Sequence, residues 1–204
     1  MWFYKNDKSQ SWEANQKPVI NFDTVEDFWS LYNHIEVASK LQIGSDYSLF
    51  KKGIKPMWED PHNKDGGRED LPTKRTFHVF PKQLLSIWVI LGVTRWLISL
   101  DRNMRSLHLD NFWMEVLLLL IGEAFGEQHG QLVNGAVVNI RDKRQVRDKI
   151  AIWMSSATHG ESILEVGRHI KSRLDIRKVD IVFENHQDTQ THKHGSRRKA
   201  TYYL

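Results

Sequence analysis

The 204-residue sequence predicts an α+β fold with an antiparallel sheet. Three segments carry apolar residues at helical spacing, and short runs rich in β-branched and aromatic residues lie between them. Asp23 with Glu26 three residues later makes a capping-box pattern, and Val25, Phe28, Trp29, Tyr32 and Ile35 then recur every three to four residues, so the first helix follows Asp23. A second starts near Asp110, where Phe112, Trp113, Val116, Leu117 and Leu120 form a wide apolar face that ends at Gly122 and Gly126. A third spans about Glu161 to Leu174 on Ile163, Leu164, Gly167, Ile170 and Leu174. The strand-like runs are Trp2–Tyr4, Tyr47–Phe50, Trp96–Leu100, Ala136–Ile140, Ile150–Met154, Val179–Phe183 and Thr201–Leu204.

Composition narrows the function classes. A balance of 40% hydrophobic and 26% charged residues suits a packed domain of this length. Zero cysteines exclude a disulfide scaffold, a thiolate zinc site and a cysteine nucleophile, and fit a cytoplasmic or nuclear compartment. The N-terminus lacks the charged-then-apolar pattern of a signal peptide. The longest apolar run, Leu84 to Val93, is far short of the ~20 residues that span a bilayer. Phosphate-loop, nucleophile-elbow and zinc-protease patterns are missing, and His192 and His194 read as surface residues in a polar loop, so no enzyme, metal or cofactor is expected.

The net charge of +4 is concentrated late in the chain. Ala136–Ile140 and Ile150–Met154 flank the basic stretch 141–149, which predicts a hairpin with a cationic tip. Its Arg141, Lys143, Arg144, Arg147 and Lys149 suit phosphates, or simply solvent. Eight tryptophans stand out. Trp96 in a strand and Trp113 in an apolar helix belong to the core. Trp12 and Trp58 instead sit in polar, turn-rich segments, where exposed rings make a stacking platform for a base. Glu59 beside Trp58 could accept the N–H donors of a guanine edge, although most loop glutamates are only solvated.

Longer blocks carry a resemblance. Trp2-Phe-Tyr-Lys-Asn-Asp-Lys, Phe22 through Ile35, Asp46-Tyr-Ser-Leu-Phe-Lys51, Pro56-Met-Trp-Glu-Asp60, Gly66-Gly-Arg68, Trp113 through Leu118, Leu120-Ile-Gly-Glu123, Gly135 through Arg141 and Lys149-Ile-Ala-Ile-Trp153 closely resemble the eukaryotic translation initiation factor 4E family, the messenger-RNA cap-binding proteins. The resemblance covers nearly the whole chain, in family order. It implies a curved antiparallel β-sheet with three long helices packed on the convex face, and a 7-methylguanosine cap held on the concave side. Trp12 and Trp58 would be the stacking rings, Glu59 the acceptor for the base edge and Trp153 the contact to the methyl group. Arg141 and Lys149 would hold the triphosphate, with Lys193 nearby.

The same resemblance implies an amphipathic helix from an initiation scaffold or a 4E-binding repressor on the opposite face, on Val25, Trp29, Met114, Glu115 and Leu118. Periodicity alone would put Trp29 in the core. Ser196 matches a phosphorylation position. The expected assembly is a monomer within a larger complex, one domain over 1–204.

Three departures from the family pattern are visible. Its arm with a His-Pro-Leu segment does not precede Trp2, so weaker partner binding is expected. The 141–149 loop is longer. Residues 69–95 interrupt blocks that are continuous in the family, and Leu84–Val93 within them would be an aggregation-prone apolar excursion. The expected function is cap binding in translation initiation; the alternative is a cap-binding-impaired variant that keeps the fold as a protein-interaction module in translational control.

Overall fold

A computed structural model describes residues 1–64, 94–101, 104–141, 147–176, 181–185 and 202–204. Lys193, Ser196, the hairpin tip 142–146 and residues 69–93 of the interrupting segment lie outside the described residues. Among the described residues, eight strands form one curved, unclosed antiparallel sheet in the order β2-β1-β3-β5-β6-β4-β7-β8. In chain order these are β1 (Trp2–Tyr4), β2 (Gln16–Pro18), β3 (Asp46–Phe50), β4 (Thr94–Leu100), β5 (Val133–Asn139), β6 (Asp148–Met154), β7 (Ile181–Asn185) and β8 (Tyr202–Tyr203). The helices are α1 (Trp12–Asn15), α2 (Val25–Tyr32), α3 (Pro61–Lys64), α4 (Asp110–Ile121), α5 (Gly126–Gly130) and α6 (Gly160–Arg173). None of the described helices is long and apolar enough to cross a membrane.

The three helices expected from periodicity are α2, α4 and α6, although α2 is only eight residues long. Its cap lies one residue later than the Asp23 pattern suggests. The Thr24 hydroxyl accepts the Asp27 N–H at 3.2 Å, and extended backbone at Thr24 places the helix start at Val25. Gly122 ends α4, donating its N–H to Leu118 O at 3.0 Å, whereas Gly126 opens the short α5 rather than closing α4.

Period-two alternation divides the sheet into two chemically different faces. Trp96, Ile98 and Leu100 of β4, Ala136 and Val138 of β5, and Ile150, Ile152 and Met154 of β6 join the main core with Phe28, Trp113, Val116, Leu117, Ile163, Val166 and Ile170 of the helices. The indole of Trp96 donates to Ile163 O at 3.0 Å, which ties α6 to the middle of the sheet. The alternate residues, Phe50, Leu97, Val137, Ala151 and Trp153, form a separate cluster with Ile54 on the other face.

Register orders that second face into rows. Asp46, Asn139, Lys149 and Ser99 are successive cross-strand partners; so are Ser48, Val137, Ala151 and Leu97; so are Phe50, Gly135, Trp153 and Arg95. Thr94 and Arg95, the last two residues of the 69–95 segment, are therefore already sheet residues, paired with Met154 and Trp153. Gly135 is required in its row because the Phe50 and Trp153 rings meet edge-on at 5.4 Å from either side of it. A Cβ there would come within 2.3 Å of Leu49 O and 2.7 Å of Phe50 Cα. Since the obstacle is backbone, Gly135→Ala is expected to destabilise the fold by about 3 kcal/mol, the upper end of ordinary overpacking costs. Denaturant unfolding of the two proteins checks it; an unchanged midpoint would show that β3 yields.

Candidate nucleotide-binding cleft

Two loops rise from the second face, and each carries one exposed tryptophan. Trp12 opens α1, which Ser11 caps by accepting the Ala14 N–H at 3.2 Å. Buried Asn15 holds that turn down: its amide donates to Asp7 O at 2.8 Å and its oxygen accepts the Asp7 N–H at 3.2 Å. Trp58 stands on the turn before α3, and a buried asparagine again supplies the anchor. Asn63 donates to Lys55 O and Met57 O, both at 2.8 Å, and accepts from Asn134 of β5 at 2.9 Å. Pro61 begins α3, where a missing N–H costs nothing.

Asp60 completes the Trp58 turn by accepting N–H groups from Lys55 at 2.8 Å and His62 at 3.0 Å. Burial acts to raise its pKa, but these bonds, the His62 ring and its charge outweigh that, so the carboxyl is held below its ordinary value. A depressed carboxylate pKa contributes stability above about pH 4 and withdraws it as pH falls through the folded value. The Trp58 turn is therefore expected to stay closed at neutral pH and loosen only below the usual carboxylate range. Amide exchange at Lys55 and His62 across that range, with Asp60→Ala as the opened reference, measures this; loosening already near neutrality would contradict it.

The rings converge. Trp12 and Trp58, 41% and 46% exposed, line the same cleft of about 220 Å³ with Trp153 on its floor. Arg141, Asp46, Asn139, Gln16 and Arg95 supply polar wall. Among the described residues, the Trp153 indole N–H and the Gln16 amide nitrogen are buried donors with no acceptor, which suits a ligand rich in acceptors. Arg141 grips Asp46 with both terminal nitrogens, at 2.6 and 3.2 Å. Burial nevertheless lifts the Asp46 carboxyl above its usual value, against the opposing influence of Arg141.

Of the other expected site residues, Glu59 is exposed beside Trp58 but does not line the cleft. Lys149 shares the sheet face of Trp153, two rows nearer the hairpin, and is also outside the lining. On the helix side, Val25 and Trp29 stand four apart on α2, 58% and 38% exposed. The Trp29 ring leans edge-on against Phe28 at 5.2 Å and Tyr32 at 6.1 Å. Met114, Glu115 and Leu118 on α4 are half-buried, and Glu115 pairs with Arg173 of α6 at 2.7 Å.

Sequence reasoning missed the anchors Asn15, Asp60, Asn63 and Asn134, and it left Arg95 in the interrupting segment. Turn-rich surroundings were a signal for the first three, since Asn and Asp side chains bond nearby backbone. Arg95 could be placed only by strand register.

A curved sheet covered by helices on one face, with a tryptophan-walled cleft bearing a basic side chain on the other, marks a candidate site for an aromatic anion. The family model for eukaryotic initiation factor 4E matches residues 1–94 and 68–201, two matches that overlap within the interrupting segment. The zebrafish (Danio rerio) eukaryotic translation initiation factor 4E-1A is 47% identical over 205 residues, covering 100% of this chain and 80% of its own. The crystal structure of Ascaris suum eIF4E-3 with m7G cap gives a TM-score of 0.77 at 38% identity, covering 100% of this chain and 92% of that one. A complex of C. elegans eIF4E-3 with the 4E-binding protein Mextli and a cap analog gives 0.74 at 37%, covering 100% and 94%. This chain belongs to the eukaryotic initiation factor 4E family.

Proposed function

We propose that this protein binds the 7-methylguanosine 5′ cap of messenger RNA and promotes translation initiation in the cytoplasm through a scaffold partner. The convergence of Trp12 and Trp58 on one cleft carries the reading. A methylated guanine bears a formal positive charge, so between two indoles it gains cation–π attraction beyond stacking, and Glu59 at the rim can take its N–H donors in charge-assisted hydrogen bonds. Unmethylated guanine loses both gains. Trp153 meets the methyl group, and Arg141 and Lys149, with Lys193 of the late loop, hold the triphosphate. The relatives solved with cap and with 4E-binding proteins support this assignment.

The protein acts as one cap-binding domain over 1–204 with an atypical insertion at 69–95, and works as a monomer within a larger complex. Val25, Trp29, Met114, Glu115 and Leu118 receive an amphipathic helix from the scaffold or from a repressor, and Ser196 takes phosphate. The alternative, a cap-impaired interaction module, draws on two observations: Glu59 and Lys149 stand off the cleft lining, and Arg141 is engaged by Asp46. Titration of intrinsic tryptophan fluorescence with methylated and unmethylated guanosine triphosphate decides between them. The cap reading expects strong quenching by the methylated ligand alone; little quenching by either ligand supports the alternative, and equal quenching by both overturns methyl-dependent recognition.

A further inference from the structure

The cationic hairpin is built on a buried acid. Asp148, 2% exposed, opens β6 next to Lys149, and its side chain lies at the hairpin base. Three donors reach it. The Arg141 N–H donates to Oδ1 at 2.7 Å, Arg105 Nη2 donates to the same oxygen at 2.7 Å, and Arg105 Nε donates to Oδ2. Arg105 Nη2 also bonds Arg141 O, so both backbone polar groups of Arg141 belong to this one cluster. Arg105 comes from elsewhere in the chain: it begins a single π-helical turn, Arg105–Leu109, that leads from the end of β4 into α4.

The cluster answers two physical problems at once. Stretch 141–149 carries five bases and two acids, so like charges crowd the turn that joins its flanking strands. Closing that base with a carboxylate holds the strands together but buries a negative charge beneath the site where phosphates must sit. A planar guanidinium forked onto both carboxylate oxygens compensates that charge and fixes its direction, which an ammonium cannot do.

We propose that Arg105 and Asp148 are positioning residues of the triphosphate subsite. They clamp the hairpin base so that Arg141 and Lys149, on either side of Asp148, are presented at a fixed spacing, and they mask a carboxylate that would otherwise repel the ligand. This assignment rests on the cap reading and adds residues that do not touch the ligand. Arg105 acts through Arg141 and the hairpin.

The test compares methylguanosine mono- and triphosphate binding by the unaltered protein, Arg105→Gln and Arg105→Lys. Arg105→Gln is expected to cut the preference for triphosphate about tenfold, as truncating one partner of a buried charge pair leaves the other uncompensated, while monophosphate affinity stays within about twofold. Arg105→Lys restores charge without the fork and should recover only part of the preference. Amide exchange at Arg141 should quicken in both variants while α6 remains protected. Equal losses for both ligands, or full recovery by lysine, would overturn the clamp. An unaltered protein that binds both ligands with the normal preference, alongside variants that do the same, overturns the clamp and leaves the cap reading standing. If the unaltered protein binds neither, the cap reading fails first. Should Arg105→Gln not fold, the lysine variant and its amide exchange decide the same question.

Discussion

Alanine at Trp12 or Trp58 is expected to weaken methylated-cap binding by about 1–3 kcal/mol each, on the scale of base–aromatic stacking, and to leave the fold intact. Both rings are far more exposed than any core tryptophan, so the substitutions empty no packed space. The two losses should not simply add. Once one indole is gone the ligand stacks on a single face, and the second substitution removes an already weakened contact. Trp58→Phe separates stacking from the stronger indole–cation attraction and should fall between wild type and alanine. Fluorescence titration needs care here because each variant removes a reporter, so calorimetry is the better measurement. Unchanged affinity in both alanine variants would remove the cleft from the binding account.

Trp29→Ala is expected to cost 2 kcal/mol or more in binding a scaffold-type amphipathic helix, within the range of aromatic anchors at interfaces. Cap affinity should stay unchanged, since α2 packs on the helix-bearing face. The ring is 38% exposed while adjacent Phe28 is 1% exposed, so Phe28 fills the core beneath α2 and Trp29 crosses it edge-on at the surface. Phe28→Ala supplies the contrast: it should lower the unfolding midpoint, as emptying a buried aromatic site costs about 3–5 kcal/mol. A Trp29→Ala protein that unfolds like Phe28→Ala would place Trp29 in the core, and one that binds the helix normally would remove it from the partner site.

The inner strands and the three main helices were legible because one rule governs them. Each must bury a face, and burial writes its period into the residues: Ile150, Ile152 and Met154 alternate with Lys149, Ala151 and Trp153, and Ile163, Val166 and Ile170 recur along α6. Edge strand β2 left no such trace, since Gln16-Lys-Pro18 packs no core and forms only because β1 offers it a partner. The cap of α2 moved from Asp23 to Thr24 because both residue types serve as caps and backbone geometry chooses between them. The cleft itself was half legible. Polar surroundings set Trp12 and Trp58 apart from Trp96 and Trp113, but that two loops 46 residues apart point at one space is a property of register (58 − 12 = 46). The Arg105–Asp148 clamp was not legible at all, because a single arginine in a loop has no pattern to announce its acid.

Strand β6 lets stability and recognition be inherited separately. Beyond Asp148, its even-numbered residues belong to the helix-packed core and its odd-numbered residues to the cleft side, although the two sets interleave along six consecutive positions. A lineage could exchange Trp153, which lines the cleft, to retune what the cleft accepts while Ile150, Ile152 and Met154 hold the scaffold constant. A single-residue deletion anywhere in that strand would trade the two sets and forfeit both at once. Changes of length in β6 are therefore expected to harm the fold more than point changes on its cleft side, and new specificities should arise in relatives by substitution there, with insertions confined to the connections between strands.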